Sequence, residues 1–372
     1  MSTSDSTTAR TPTSANQGGT PIEFPCDNCG AGMSWDPKAD ALVCAYCEHR
    51  VVVPRSEGTL VERSLDEAGS AARGLGLDVR VRECRTCGAR VAFGDRETSS
   101  NCVYCGSAHV LEQEANRNAL RPESLVPLEV CSDRVRESFR DWLDGLWFRP
   151  NALKQTKRFE AVGVYVPFWT FDAAVHSDWS ADSGTYYYVQ EPTVVMVSGR
   201  PKLRTRRVRK IRWKPAWGDR DDSYDDLLVN ASAGLRGDLV RKLGGFDTKQ
   251  LVPYDAKYLA GWSAEEYSVD LEAAWGQGQS EIESLQRSRC AADVPGDTHR
   301  NLRVQNAIRD VRWKHVLLPL WSLQYDFRGK TYTVLVNGQT GQCAGDAPYS
   351  WIKILLFVAV VGILILAALA FQ

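Results

Sequence analysis

Alternation between apolar and polar side chains is clearest near the end of the chain. Apolar residues occupy every second position in residues 321–327 and again in residues 332–336, with Gly329-Lys330 between the two stretches. A period of two residues is typical of a strand that buries one face. The pattern predicts an antiparallel hairpin of a half-exposed sheet, followed by a turn at Asn337-Gly338.

A less regular version of this period predicts strands earlier in the chain. Residues 162–166 alternate, and residues 193–197 and 203–213 form a further candidate pair of strands. The tripeptide Asp182-Ser183-Gly184 lies between these stretches and has the composition of a turn. We therefore expect the chain to turn there.

The stretch 131–148 predicts an amphipathic helix. Its apolar residues fall on one face at helical spacing, and Pro150 prevents the helix from continuing. Trp142 and Trp147 belong to that face, and we expect both to pack against the next domain.

Two more helices are predicted in the second half of the chain, over residues 225–243 and 264–289. The second follows Ser263-x-x-Glu266, the pattern of a capping box. Gly276 and Gly278 each weaken a helix by about 1 kcal/mol, which predicts a break at these positions.

The most apolar segment is residues 354–371, eighteen positions without a charged or strongly polar side chain. A helix of that length spans roughly 27 Å, close to the ~30 Å hydrocarbon core of a bilayer. Tyr349, Trp351 and Lys353 precede it, where interfacial side chains are expected. The pattern predicts a single-pass C-terminal anchor (a tail anchor) in the cell membrane, with the chain before residue 350 on the cytoplasmic side.

Eight of the eleven cysteines form four Cys-x-x-Cys pairs, and these pairs form two modules with the same internal spacing of fourteen residues. Two such pairs supply the tetrahedral thiolate shell that structural zinc prefers. Each module is too short to build a core of its own, and bound zinc can stabilise such a unit. We predict two zinc ribbons and two Zn²⁺ ions. The predicted ligands are Cys26, Cys29, Cys44 and Cys47 in the first ribbon, and Cys84, Cys87, Cys102 and Cys105 in the second.

Disulfide bonds and redox chemistry suit these cysteines less well than zinc does. Disulfides need an oxidising compartment, and no secretory signal is recognisable. A thioredoxin-like redox site needs one Cys-x-x-Cys beside a βαβ pattern, whereas here there are four. Iron in an all-thiolate shell stays open. His49 and His109 follow the two modules and are expected at the surface, because four thiolates already complete each site.

Charge is nearly balanced, with a formal net charge of −1 and a pI of about 6.5, so the chain as a whole is no obvious binder of polyanions. One local exception is a run of basic residues in 202–214, and five aspartates follow it in 219–226. The run could be solvated or paired with those aspartates, or it could bind an anionic lipid surface or nucleic acid. Its basic residues are Lys202, Arg204, Arg206, Arg207, Arg209, Lys210, Arg212 and Lys214.

These elements together predict an α+β protein with two small four-cysteine zinc ribbons, a β-rich antiparallel domain with several helices and one C-terminal transmembrane helix. The predicted boundaries are a disordered tail at 1–20, ribbon 1 at 21–55, a linker at 56–78, ribbon 2 at 79–115, a connecting segment with the amphipathic helix at 116–160, the β-rich domain at 161–346 and the anchor at 350–372. No phosphate-binding G-x-x-x-x-G-K-[ST] loop, H-E-x-x-H or G-x-S-x-G motif is present, so we expect no enzyme and name no catalytic residue.

Several motifs together resemble those of bacterial membrane-anchored double-zinc-ribbon proteins. Members of this group are labelled as TFIIB-type zinc-ribbon (zinc-finger) proteins or, after a replication helicase, as similar to primosomal protein N′ (replication factor Y). The resemblance implies a cytosolic platform that works with SPFH (flotillin-like) and phage-shock-type envelope proteins. The motifs are Cys26-x-x-Cys29-Gly, Cys84-x-x-Cys87-Gly, residues 165–169, residues 258–261 with Glu265-Glu266-Tyr267, and residues 336–341.

The predicted function is a membrane-anchored adaptor that recruits cytosolic or membrane-associated proteins to the bacterial membrane, in the context of envelope stress. The alternative is a zinc-ribbon protein that binds nucleic acid, in replication or transcription. Helicase activity is not expected, because no ATP-binding loop is evident.

Overall fold

The computed structural model describes residues 24–54, 60–76, 79–93, 101–155, 159–197 and 200–370, and the predicted tail at 1–20 lies outside these ranges. In chain order the strands are β1 Phe24–Pro25, β2 Gly32–Asp36, β3 Ala41–Cys44, β4 Arg50–Val51, β5 Arg63–Ser64, β6 Arg80–Cys84, β7 Arg90–Phe93, β8 Val110–Glu114, β9 Ser124–Leu125, β10 Glu160–Val197, β11 Arg200–Asn230, β12 Val252–Pro253, β13 Ser263–Glu266, β14 Thr298–Phe327, β15 Lys330–Asn337 and β16 Cys343–Gly345. The α-helices are α1 Ser132–Gly145, α2 Gly237–Lys242, α3 Leu271–Asp293 and α4 Trp351–Ala370.

This mixture of helices with predominant antiparallel strands confirms the α+β prediction. The first cysteine module forms a four-stranded antiparallel sheet, β1-β2-β3-β4. The second module consists of β6 paired with β7 and β8, and β7 pairs in turn with β13. The second ribbon is therefore hydrogen-bonded into the main sheet.

Three long antiparallel strands dominate the structure. β10 pairs with β14 from Glu160↔Gln324 to Gly184↔Thr298. On its other side it pairs with β11 from Phe168 to the distal end at Val197↔Arg200. At ~3.3 Å per residue a strand as long as β10 spans on the order of 120 Å if fully extended. Its last thirteen residues extend beyond β14, so that β10 and β11 continue there as a two-stranded arm.

The predicted turn at Asp182-Ser183-Gly184 is wrong, because β10 passes straight through these residues. Gly184 has a different role there. A Cβ atom at this position would lie 2.7 Å from the Trp213 ring and 2.8 Å from Thr298. The glycine therefore makes room for side chains of both neighbouring strands.

Two predicted helices differ from those observed. Residues 225–230 belong to β11, since Leu227–Asn230 pair with β10, and only Gly237–Lys242 form a helix in that region. The helix predicted from residue 264 begins instead at Leu271, capped by the Asp270 side chain. Residues 263–266 form β13, in which Glu265 and Glu266 are buried and hydrogen-bonded, so no capping box forms.

Helix α3 then runs to Asp293 without the predicted break. Gly278 faces the sheet, and a Cβ there would meet the Phe171 ring at 3.2 Å. The glycine thus permits close packing of α3 on β10, which outweighs its low helix propensity. Residues 313–323 of β14 are all buried, including Trp313 and Trp321, and they form the centre of the core.

The predicted amphipathic helix is observed as α1, with Val135, Phe139 and Leu143 buried. Trp142 stacks on Phe139. Trp147 does not pack as expected: it lies beyond the end of α1 and is 75% exposed.

Candidate metal centres and exposed surfaces

The four cysteine sulfurs of the first module converge, with all of them within 4.8 Å of one another. Cys26 Sγ lies 3.6 Å from Cys47 Sγ, and Cys29 Sγ lies 3.6 Å from Cys44 Sγ. Ligands of a tetrahedral zinc ion with Zn–S bonds of ~2.3 Å are about 3.8 Å apart. The module therefore has the size and the donor set of a four-thiolate metal site.

The second module repeats this geometry. The sulfurs of Cys84 and Cys105 are 3.6 Å apart and those of Cys87 and Cys102 are 3.5 Å apart. The four sulfurs again lie within 4.8 Å of one another. The two four-cysteine clusters fit a pair of zinc ribbons, and each could hold one metal ion.

Each Cys-x-x-Cys turn is followed by a residue in the left-handed backbone conformation. Its N–H donates to the carbonyl of the first cysteine of the pair, at 2.8–3.0 Å. Glycine adopts this conformation without strain, and Glu48 adopts it at φ 58° although it carries a side chain. The four residues are Gly30, Glu48, Gly88 and Gly106.

Hydrogen bonds inside the clusters act in both directions: they lower the pKa of Cys47 and Cys102, which favours the thiolates that bind metal, and the bond between Cys87 and Cys102 raises the pKa of Cys87. The backbone N–H of His49 is the main cause that lowers the pKa of Cys47 to about 6. The pKa of Cys102 is lowered to about 5, first by the side chain of Cys87 and further by the backbone N–H of Tyr104. His109 is exposed, and neither histidine belongs to a four-cysteine cluster.

Both ribbons are built into the body of the protein. In the first ribbon, Trp35 is buried and its Nε1 donates to the Leu128 carbonyl at 3.2 Å. The Trp35 ring also packs against Tyr258, with 4.6 Å between ring centroids. In the second, Gln324 of β14 donates to the Cys102 carbonyl at 2.8 Å. Metal binding at either cluster would therefore be coupled to the packing of the body.

Glu265 is a buried group that the sequence did not single out as a site residue. It accepts hydrogen bonds from the Tyr104 hydroxyl, which lies in the turn between Cys102 and Cys105, and from Ser232, both at 2.7 Å. Burial raises the pKa of Glu265 to about 7. The Glu265 carboxyl thus holds the Cys102-x-x-Cys105 turn against β13.

The outer parts of the cysteine turns are accessible. Cys29 and Cys105 are exposed. Tyr46, between Cys44 and Cys47, is 83% exposed. An aromatic side chain thus projects from a turn whose backbone a bound metal would hold in place.

The apolar C-terminal segment forms α4, of which Trp351–Leu369 is long and apolar enough to cross a membrane, and none of that window is buried in the protein. Its first turn is held by the segment after α1. Lys353 Nζ donates to Asn151 Oδ1 at 2.7 Å. The ring centroids of Phe148 and Phe357 are 5.4 Å apart. The Arg149 guanidinium lies 3.7 Å from the centroid of the Tyr349 ring.

The basic run lies on β11, and all of its basic residues except Lys214 belong to the two-stranded arm. The aspartates that follow it pair elsewhere: Asp222 with Arg220 and Arg289, and Asp226 with the buried Lys314. The ion pair seen for the run within the described chain joins Lys210 to Glu191 at 2.6 Å. The contacts therefore do not support neutralisation of the basic run by these aspartates.

The chain is similar to a protein of Bacillus subtilis (strain 168) that carries the name "Uncharacterized protein YdjG". The two are 26% identical over 331 residues, which cover 88% of this chain and 91% of the relative. No family model matches the sequence. No solved structure matches it either. The similarity extends over most of both chains, and the name of the relative carries no activity.

Proposed function

We propose that the protein is a zinc-ribbon adaptor, anchored in the bacterial membrane by α4, that recruits partner proteins from the cytoplasmic side. Zinc is the ion we assign to both four-cysteine sites, because their donor set and sulfur spacing suit its tetrahedral shell. The metal would stabilise the turns, and no catalytic role is assigned to it.

The observation that carries the proposal is Tyr46, which is 83% exposed on a metal-held turn. Tyrosine is enriched among the residues that dominate protein–protein affinity, since it offers a large contact area and a polar end. A rigid turn loses little conformational entropy when a partner binds. Such a side chain suits the recognition of another protein.

The attachment to α4 supports the membrane part of the proposal. Trp147, Tyr349 and Trp351 are 75%, 62% and 73% exposed around the first turn of α4, where a bilayer interface would cover them. Anchoring also confines both ribbons to one surface, so that two weak contacts with a partner can combine. By the resemblance of its motifs, the partner class is the SPFH and phage-shock-type envelope proteins.

The experiment is site-specific photo-crosslinking in membranes, with a photoreactive amino acid at position 46 of the full-length chain. We expect crosslinks to membrane-associated proteins, and we expect Tyr46→Ala to lower recovery of the same partners at least tenfold in affinity capture without crosslinking. Leu285→Ala is the matched control, since Leu285 is an exposed apolar residue on α3. Recovery of nucleic acid with replication proteins and no membrane protein would overturn the adaptor role.

A further inference from the structure

The arm consists of residues 185–197 of β10 and residues 200–212 of β11. β14 ends its pairing at Gly184↔Thr298, so within the described pairs each strand of the arm has the other as its only neighbour. Thirteen residue pairs span roughly 40 Å at the usual rise of a strand. The described side chains on both faces of the arm are exposed or half-buried along its length.

The arm carries a large excess of positive charge. The arm contains eight basic residues and one acidic residue, Glu191. Directly paired residues point to the same face of a ribbon, and successive residues point to opposite faces. The pairing Glu191↔Arg206 and Val195↔Lys202 therefore defines a basic face. The six basic residues on this face are Arg200, Lys202, Arg204, Arg206, Lys210 and Arg212.

The opposite face of the arm is apolar at its outer end. Val194 pairs with Leu203, and Met196 pairs with Pro201, so all four side chains share this face. Val194, Met196 and Leu203 are 63%, 67% and 76% exposed. Further inward on the same face lie Tyr186 and Tyr188, together with the remaining two basic residues of the arm, Arg207 and Arg209.

The aromatic rings of the arm are already occupied by arginine. The guanidinium of Arg207 lies 4.0 Å from the ring centroid of Tyr188, and that of Arg209 lies 4.3 Å from the centroid of Tyr186. Proteins that bind single-stranded nucleic acid stack bases on open aromatic faces. A nucleic acid on the basic face would also leave the apolar face in water.

We propose that the arm lies on the surface of a bilayer that contains anionic lipids. Its apolar face enters the boundary between headgroups and acyl chains, and the long basic side chains of the other face reach around the narrow ribbon to lipid phosphates. Amphipathic helices that bind membrane interfaces combine the same two features, an apolar face and a face rich in Lys and Arg. Long basic side chains can keep their charge at the headgroups while their stems cover apolar surface. This binding is independent of the adaptor role.

The test uses the full-length chain in nanodiscs of phosphatidylcholine, which offer the arm no anionic lipid of their own. Labelled vesicles of phosphatidylcholine mixed with phosphatidylglycerol are added, and binding is measured by flotation. We expect binding that weakens as salt is raised, and little binding to vesicles of phosphatidylcholine alone.

Two variants separate the contributions of the two faces. Lys202→Ser/Arg204→Ser/Arg212→Ser removes three basic side chains, each worth about fivefold in affinity, so binding should fall on the order of a hundredfold. Met196→Ser/Leu203→Ser should lower binding at least tenfold without altering the charge. The matched control removes three exposed basic residues of other elements, Arg140→Ser/Arg241→Ser/Lys249→Ser, and should bind as the wild type does.

Three results would overturn the proposal. One is the absence of binding to the anionic vesicles. Another is equal loss of binding in the control variant, which would indicate a response to net charge alone. The third is tight binding of duplex or single-stranded DNA that the basic-face variant abolishes and the apolar-face variant leaves intact, with vesicles not bound.

Discussion

Lys314 is a lysine inside β14 with only 3% of its side chain exposed, and replacing it with methionine tests how the acidic cluster around it is held. Its Nζ lies 2.7 Å from Asp226 Oδ1 and 3.0 Å from Glu62 Oε1. Carboxylate oxygens of Asp172 and Asp225 lie within 4.8 Å of that of Asp226. Lys314→Met keeps the volume of the side chain and leaves these carboxylates without its charge.

The expected cost follows from these distances. At an effective dielectric constant of about 20, two unit charges 2.7 Å apart attract by roughly 6 kcal/mol before desolvation is counted. Removal of one partner of a buried ion pair typically costs about 3–5 kcal/mol, because the other charge stays buried. We therefore expect Lys314→Met to lower the free energy of unfolding by about 3–5 kcal/mol at pH 7.

The loss of unfolding free energy in Lys314→Met should be smaller at acidic pH. Burial raises the pKa of Asp172 to about 6, and Lys314 acts in the opposite direction. Without the lysine the pKa of this carboxyl should rise further. A carboxyl whose folded pKa is raised contributes stability below its unfolded pKa and loses it as pH rises through the folded pKa. The variant should thus be closer to the wild type at pH 5 than at pH 7.

The measurement is urea unfolding of the full-length chain in a nonionic detergent, followed by tryptophan fluorescence at pH 5 and pH 7. Lys314→Met/Asp226→Asn should recover part of the lost stability, since it removes one of the unpaired charges. Lys242→Met, at a lysine that is 64% exposed, is the control and should stay within about 0.5 kcal/mol of the wild type. Wild-type stability of Lys314→Met at pH 7 would refute the reasoning.

Two further predictions concern the metal sites and the core. The purified chain should contain two zinc ions by elemental analysis, and Cys84→Ser/Cys87→Ser should contain one, whereas an unchanged content or bound iron would contradict the assignment. Burial lowers the pKa of His315 to about 4, so as pH falls from 6.5 to 4 the unfolded chain takes up a proton that the folded chain does not. Wild-type stability should therefore fall by up to about 3 kcal/mol over that window. His315→Asn, which can still donate to the Leu120 carbonyl, should show a smaller fall in urea unfolding, and an equal fall would contradict the assignment to His315.

Features encoded over short stretches of sequence were the ones that could be predicted. Cys26-x-x-Cys29 and its three counterparts specify turns within four residues, so their convergence followed from spacing alone. The β14–β15 hairpin was visible because both strands alternate, but its turn lies at Arg328-Gly329, both with positive φ, one residue before the predicted Gly329-Lys330. The apolar helix α4 needed no partner to be recognised, since length and composition define it.

Features that depend on distant partners could not be predicted. Asp182-Ser183-Gly184 has turn composition, but β11 on one side and β14 on the other hold it in a strand. Glu265 and Glu266 resemble the start of a helix until Tyr104 and Arg90, more than a hundred and fifty residues away, are seen to pair with them. Local propensity loses in both cases to long-range hydrogen bonds.

The arm shows the same limit for a candidate site. The sequence reveals the density of basic residues, but only the pairing of β10 with β11 shows which of them share a face. The same register shows that Met196 and Leu203 belong to two neighbouring pairs on the face opposite the basic face. Likewise, only the folded structure shows that Asp226 pairs with Lys314 and not with the nearby basic run.

The way α4 joins the body has a consequence for geometry in a bilayer. A flexible linker between an anchor and a folded body would let the body adopt many orientations relative to the bilayer. In this protein the Ser350 N–H donates to the Phe148 carbonyl at 2.8 Å, and Lys353 donates to Asn151. The start of α4 is therefore hydrogen-bonded directly to the segment that follows α1, without a flexible linker between them. Every copy would therefore hold Tyr46 at one constant height above the lipid, and only partners whose own contact lies at that height could reach it.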